Sequence, residues 1–231
     1  MASWLEAFVP LRTHVLVRFG RWAELTAEPL PEDQELYCTT TAMVHYGRAV
    51  AHAVLGDVAA AVAARDEFVV AVGRVPDTRY LFNNTALDIL AIAGAMLDGE
   101  LAYRQGRYDE GFDHLRRAIA LDDALPYDEP WGWMQPTRHA YGALLLEQGR
   151  VAEAAEVYAA DLGLDPTVSR SVHHPGNVWS LHGYHECLTR LDRHDEARIV
   201  AQQLAVARAR ADGPVLASCA CRLDVVREAS G

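Results

Sequence analysis

One short phrase returns five times along this chain, and each return marks a place where one helix has to stop and another begin. It reads Val17-Arg18-Phe19-Gly20-Arg21-Trp22, Val54-Leu55-Gly56-Asp57-Val58, Arg104-Gln105-Gly106-Arg107-Tyr108, Glu147-Gln148-Gly149-Arg150-Val151 and Arg190-Leu191-Asp192-Arg193-His194. After four of the five turns the next helix opens on small or acidic residues: Ala59-Ala60-Ala61, Asp109-Glu110-Gly111, Ala152-Glu153-Ala154 and Asp195-Glu196-Ala197. A hairpin of two amphipathic helices cannot bury its apolar face alone. Repetition therefore predicts hairpins stacked on one another into a curved all-α solenoid with a concave groove.

The phrase resembles the tetratricopeptide repeat (TPR), whose unit of about 34 residues is two antiparallel helices joined by a tight turn. Here the turns are spaced by 36, 50, 43 and 43 residues, so the later units carry inserts. The best match runs from Leu97 to Asp122, where Gly99, Tyr103, Gly106, Tyr108, Ala118 and Leu121 occupy the small, aromatic and apolar positions. Two stretches, Tyr127 to Gly149 and His174 to Leu188, are more narrowly similar to the C-terminal half of an uncharacterised bacterial and fungal TPR-like subfamily. The text that carries this is Pro126-Tyr127-Asp128-Glu129-Pro130-Trp131-Gly132-Trp133-Met134-Gln135-Pro136 and His174-Pro175-Gly176-Asn177-Val178-Trp179-Ser180-Leu181. The resemblance implies a right-handed superhelical fold and a binding role, with no particular activity.

The reading places one domain over residues 1–231, with hairpins at about 4–29, 34–75, 81–122, 137–162 and 178–212. The 81–122 hairpin is taken to start as helix at Leu81. Residues 122–136 and 163–177 are inserts, longer than helix–helix connections usually are. A last helix over 214–228, with Pro214 in its first turn, is expected to cap the open end. The apolar Trp4, Leu5, Phe8 and Val9 are expected to cover the N-terminal end or to pair with another subunit, giving a monomer or a weak homodimer.

Composition narrows the function classes. The formal charge is −11, and all cations are arginine, which argues against a nucleic-acid partner because phosphate contacts need clustered positive charge. No apolar run is long enough to span a membrane, and no basic flank precedes an apolar run near Glu6, so a cytoplasmic location is expected. Four cysteines, Cys38, Cys187, Cys219 and Cys221, do not form a disulfide framework for a chain of this size. They read as thiols, with oxidation of Cys219 against Cys221, or the joining of one of the two to Cys187, as the open alternatives. Phosphate loops, dinucleotide fingerprints and nucleophile elbows are missing from the text.

In TPR-like folds the first helix of each hairpin lines the groove. Counting back from each turn, and forward by four along the same face, selects Tyr46, Met96, Glu100, Tyr103, His139, His182 and Glu186. Trp179 falls at the rim. Trp133, in the insert, folds over the groove as a lid or else fills a satellite apolar cluster. The ligand-binding lining is therefore Tyr46, Met96, Glu100, Tyr103, Trp133 and Trp179. A second set, His139, His182, His185 and Glu186, has the donor types and helical spacing of a zinc, copper or iron site with an open position. The competing reading gives these histidines to packing and helix-end hydrogen bonds, with His185 at a close-packed position. Two functions follow: a scaffold holding a peptide or small ligand, and a transition-metal protein or metalloenzyme. The scaffold is the favoured one.

Overall fold

The computed structural model describes residues 2–228. It is mostly helical, and its helices pack as sequential pairs. By its contacts the chain divides into two compact units, one ending at Gln135 and one starting at Pro136.

The first unit holds α1 (Ala2–Leu5), α2 (Leu11–Arg18), α3 (Trp22–Ala27), α4 (Cys38–Leu55), α5 (Val58–Val72), the strands β1 (Tyr80–Leu81) and β2 (Asn84–Thr85), α6 (Ala86–Arg104) and α7 (Tyr108–Asp123). Helices pair as α2–α3, α4–α5 and α6–α7, and α4 lies against α6. The second unit holds α8 (Thr137–Glu147), α9 (Val151–Asp161), α10 (Val178–Arg190), α11 (His194–Arg208) and α12 (Leu223–Glu228). Its pairs are α8–α9 and α10–α11, with α10 against both α8 and α9.

All five phrases fold the same way. At Gly20, Gly56, Gly106, Gly149 and Asp192 the backbone turns left-handed, with φ between 56° and 88°. The turn residue's N–H reaches the carbonyl three back (Val17, Ala53, Tyr103, Leu146, Thr189). The next N–H reaches five back (Leu16, His52, Ala102, Leu145, Leu188), all at 2.9–3.2 Å. This Schellman pairing satisfies the carbonyls that a helix end leaves open, and glycine adopts the required φ without a Cβ clash. Asp192 is the one substitute, a residue type that tolerates this region.

The residue after each turn starts the next helix. In four cases it is arginine, paired with a glutamate three residues on: Arg21–Glu24, Arg107–Glu110, Arg150–Glu153 and Arg193–Glu196. The glutamate sits in the first turn, where the helix dipole favours negative charge. In the fifth case Asp57 caps α5 with its own carboxylate, accepting from the Ala60 N–H at 3.1 Å.

Three expectations are corrected. Leu81 does not begin a helix. Leu81 pairs with Asn84 and Tyr80 with Thr85 in a two-stranded hairpin, turning through Phe82 at φ 48°. Thr85 then caps α6, its hydroxyl accepting from the Asp88 N–H at 3.0 Å. Nor does a helix span 214–228; only Leu223–Glu228 is helical. Cys219 and Cys221 are joined by a disulfide rather than left as thiols. Side chains two apart on a helix point to different faces, so this bridge and helix are incompatible here. At the N-terminal end, Trp4 and Phe8 set their rings edge-on against Phe82 at 6.1 and 5.3 Å, while Leu5 and Val9 stay exposed. No helix among the described residues is long and apolar enough to cross a membrane.

Candidate functional site

In the first unit, the insert before Gln135 reaches the β-hairpin, α2 and α4. Asp128 anchors it at the β-hairpin, accepting from the Asn83 N–H at 3.0 Å and the Asn84 amide at 3.3 Å through one oxygen. The Asn83 side-chain amide donates to the Tyr127 carbonyl at 3.0 Å. Beyond this anchor, Trp133 turns inward. Its ring stands edge-on to Tyr46 of α4 at 5.6 Å and to His14 of α2 at 4.7 Å. The next residue but one, Gln135, donates through its side chain to the His14 carbonyl.

Trp133, Tyr46 and Glu100 thus share one neighbourhood, but as interior residues with 3, 3 and 5% exposure. Burial, and then the nearby Glu100 carboxylate, push the Tyr46 hydroxyl well above its usual range, so it stays protonated. Burial, and then Arg18, lower His14 to about 4, which makes its imidazole neutral at physiological pH. Glu100 accepts from Arg104 at 2.7 Å. Tyr103 packs on Tyr108 and Phe112 at 5.0 and 5.9 Å, so it belongs to the α6–α7 core rather than to a lining. Met96 is half-buried.

Two polar atoms in this neighbourhood are buried without a hydrogen-bond partner: the Trp133 indole N–H and the Asn84 side-chain oxygen. Asn84 is fully buried and lies where a Cβ on Gly132 would meet its amide at 3.1 Å, so it adjoins the residue preceding Trp133. Native interiors leave few such groups open, because each costs about 1–3 kcal/mol.

In the second unit the histidines gather on an acid the sequence reading passed over. Asp161, at the end of α9 and fully buried, accepts from His174 Nδ1 at 2.9 Å on one oxygen. Its other oxygen faces His139 Nε2 at 3.1 Å and also accepts from the Ser180 hydroxyl. The backbone N–H of His174 adds a bond to the Asp161 carbonyl at 2.6 Å. Burial by itself raises the Asp161 pKa. The hydrogen bonds and charges of His139 and His174 outweigh it and hold the carboxyl far below the ordinary range.

Serine, histidine and aspartate together invite a hydrolase reading, which the geometry does not support. Ser180 lies 2.7 Å from His139 Nε2, the same nitrogen that faces Asp161. A charge-orienting acid must bind the opposite ring nitrogen, and a nucleophile must be reachable; Ser180 is fully buried. The cluster is a polar brace tying α8, α9, α10 and the 163–177 insert together.

The proposed metal ligands are not assembled. His182 donates from Nε2 to the Leu216 carbonyl at 2.9 Å and accepts at Nδ1 from Arg208 at 2.8 Å, so both ring nitrogens are engaged. Glu186 is held by Arg222 and Arg190. His139 is committed to Asp161 and Ser180, and His185 is half-buried. Among the described residues no group of three histidines, cysteines or carboxylates is arranged to hold a metal ion. Trp179 stands over His139, ring centroids 6.5 Å apart.

No protein-family model, no curated protein and no solved structure matches the chain.

The signal that points to Asp161 is present in the text. In Ala159-Ala160-Asp161-Leu162 an acid occupies a position flanked by apolar residues, where a charge is retained only with partners.

Proposed function

We propose that the chain is a TPR-like binding scaffold, a right-handed solenoid that holds a peptide or small ligand against the α4–α6 face of its first unit. The observation that carries this is two buried atoms without partners, the Trp133 indole N–H in the insert and the Asn84 side-chain oxygen in the β-hairpin. A donor beside the neutral rings of Tyr46 and His14, together with an acceptor, suits an uncharged polar group such as a peptide amide. The ligand satisfies both atoms and recovers the cost of leaving them open. The insert is the cover, and Asp128 its fixed end.

The repeated Schellman turns support the TPR-like part of the reading, since each one closes a pair of antiparallel helices. A chain with net charge −11 and no lysine takes a protein or small-molecule partner in preference to nucleic acid. A cytoplasmic monomer or weak homodimer is the working form.

Titration of a peptide array and a metabolite library, read by thermal shift, tests the binding role. Hits should weaken at least about tenfold in Trp133→Phe, which removes the N–H while keeping an aromatic ring. Binders indifferent to both Trp133→Phe and Asn84→Leu would place the ligand elsewhere and defeat this assignment.

A further inference from the structure

We infer that Cys219 and Cys221 form a redox-active site, a C-x-C pair that exchanges with low-molecular-weight thiols and thereby sets how firmly the segment after α11 is held. The bridge is formed in this structure, with its Cα atoms 5.1 Å apart, inside the range ordinary disulfides span. The two cysteines differ in burial: Cys221 is buried and Cys219 only half-buried, which makes Cys219 the side open to an incoming thiolate. The Cys221 backbone N–H lies 3.1 Å from Cys219 Sγ, a donor that favours negative charge on that sulfur once it is released.

The rest of the segment is built around this turn. The Arg222 N–H reaches the Cys219 carbonyl at 3.2 Å and closes the loop that the bridge spans. On one side of the pair, the Ser218 hydroxyl donates to the His139 carbonyl at 2.8 Å and meets the Tyr158 hydroxyl at 2.5 Å. On the other, Arg222 grips Glu186 and the Leu223 N–H donates to Glu147 at 2.7 Å. The covalent turn therefore fixes the spacing between two anchors. Without it, each anchor has to be found separately against the chain entropy of the segment.

The exchange balances as follows. A thiolate attacks the Cys219 sulfur, the Cys219–Cys221 bond breaks, and Cys221 leaves as a thiolate that takes up a proton. A second small thiol then displaces Cys219 from the mixed disulfide, giving one small-molecule disulfide and two protein thiols. Two electrons pass from the small thiols to the protein, and the reverse sequence reoxidises it. Cys187 stands aside: burial, then Glu186, push its thiol up to about 12, so it stays protonated.

Alkylation of unfolded protein followed by mass spectrometry tests the site. Protein purified without reductant should block two of its four cysteines, and dithiothreitol should raise this to four reversibly. Amide exchange across residues 216–224 should then quicken about tenfold on reduction. The Cys219→Ser/Cys221→Ser variant should show the fast exchange with or without dithiothreitol, which separates loss of the bridge from damage by the reagent. Four reactive thiols even after diamide treatment would overturn the assignment, and so would identical exchange in the oxidised and reduced protein.

Discussion

Arg222 and Glu186 form a two-bond pair, Nη1 to Oε2 at 2.7 Å and Nη2 to Oε1 at 2.9 Å, with the guanidinium almost wholly buried. The fork of an arginine matches the two oxygens of a carboxylate, and hydrogen bonds to ionised groups are the stronger kind. Burial alone raises the Glu186 pKa, and the Arg222 bond turns the net shift downward. This pairing is why a residue that looks like a metal ligand in the sequence is a structural anchor in the fold.

Glu186→Gln and Arg222→Met should each destabilise the second unit, the arginine change by about 2–4 kcal/mol because it strips partners from both Glu186 and Asp224. The double variant should recover part of the loss, with a coupling of about 1–3 kcal/mol in urea unfolding. Additive effects would mean the two side chains act independently.

Acid should loosen the second unit. The Asp161 carboxyl is held below its ordinary 3.8 by His139 and His174, so the unfolded chain binds more protons than the folded one. Its contribution is complete above that ordinary pKa and is lost as the pH falls below it. Thermal melting should drop steeply below about pH 4, and Asp161→Asn should flatten that limb while costing about 3–5 kcal/mol at neutral pH. Parallel acid limbs in the two proteins would remove Asp161 as the source.

Tyr158 sets the approach of α8 and α10. Its fully buried ring lies against Gly142 and Gly183, and a Cβ on Gly142 would come within 2.5 Å of it, one on Gly183 nearer still. Gly183→Ala should therefore cost about 1–3 kcal/mol through overpacking. Gly56→Ala, with open space around it but φ at 88°, should cost about 1 kcal/mol from backbone strain alone. Equal melting temperatures for Gly183→Ala and the parent would refute the clamp.

Trp131 and Trp133 are two residues apart and opposite in environment, 44% and 3% exposed. Trp133→Ala should destabilise the first unit by about 3–5 kcal/mol, and Trp131→Ala by under about 1 kcal/mol. Acrylamide quenching of single-tryptophan variants reads the same contrast: strong quenching of Trp133 would show that the insert does not hold it in place.

Sequence spacing located the sequential helix pairs. Of the residues counted back from the turns, Tyr46, Glu100, Tyr103 and His139 are buried, while Met96, His182 and Glu186 are only partly so. The count had no means of telling a groove from a core, because a lining residue and a packed one obey the same 3.6-residue period. The difference is made by Trp133, reaching back from an insert whose path no local rule specifies. His185 shows the same limit. The close-packed position in α10 is Gly183, against Tyr158, and only the ring's location reveals it.

By itself the sequence determined where the helices end. A left-handed turn is a local demand, met by glycine at four of the five turns and by aspartate at the fifth, and it needs no distant partner to enforce it. Only the tertiary structure decided what the histidines and carboxylates do. Asp161 meets His174 across 13 residues, Glu186 meets Arg222 across 36, and Ser218 meets His139 across 79. A charge buried in a low-dielectric interior must take its partner from whatever the fold brings within about 3 Å, and that choice is not written in the spacing around either residue.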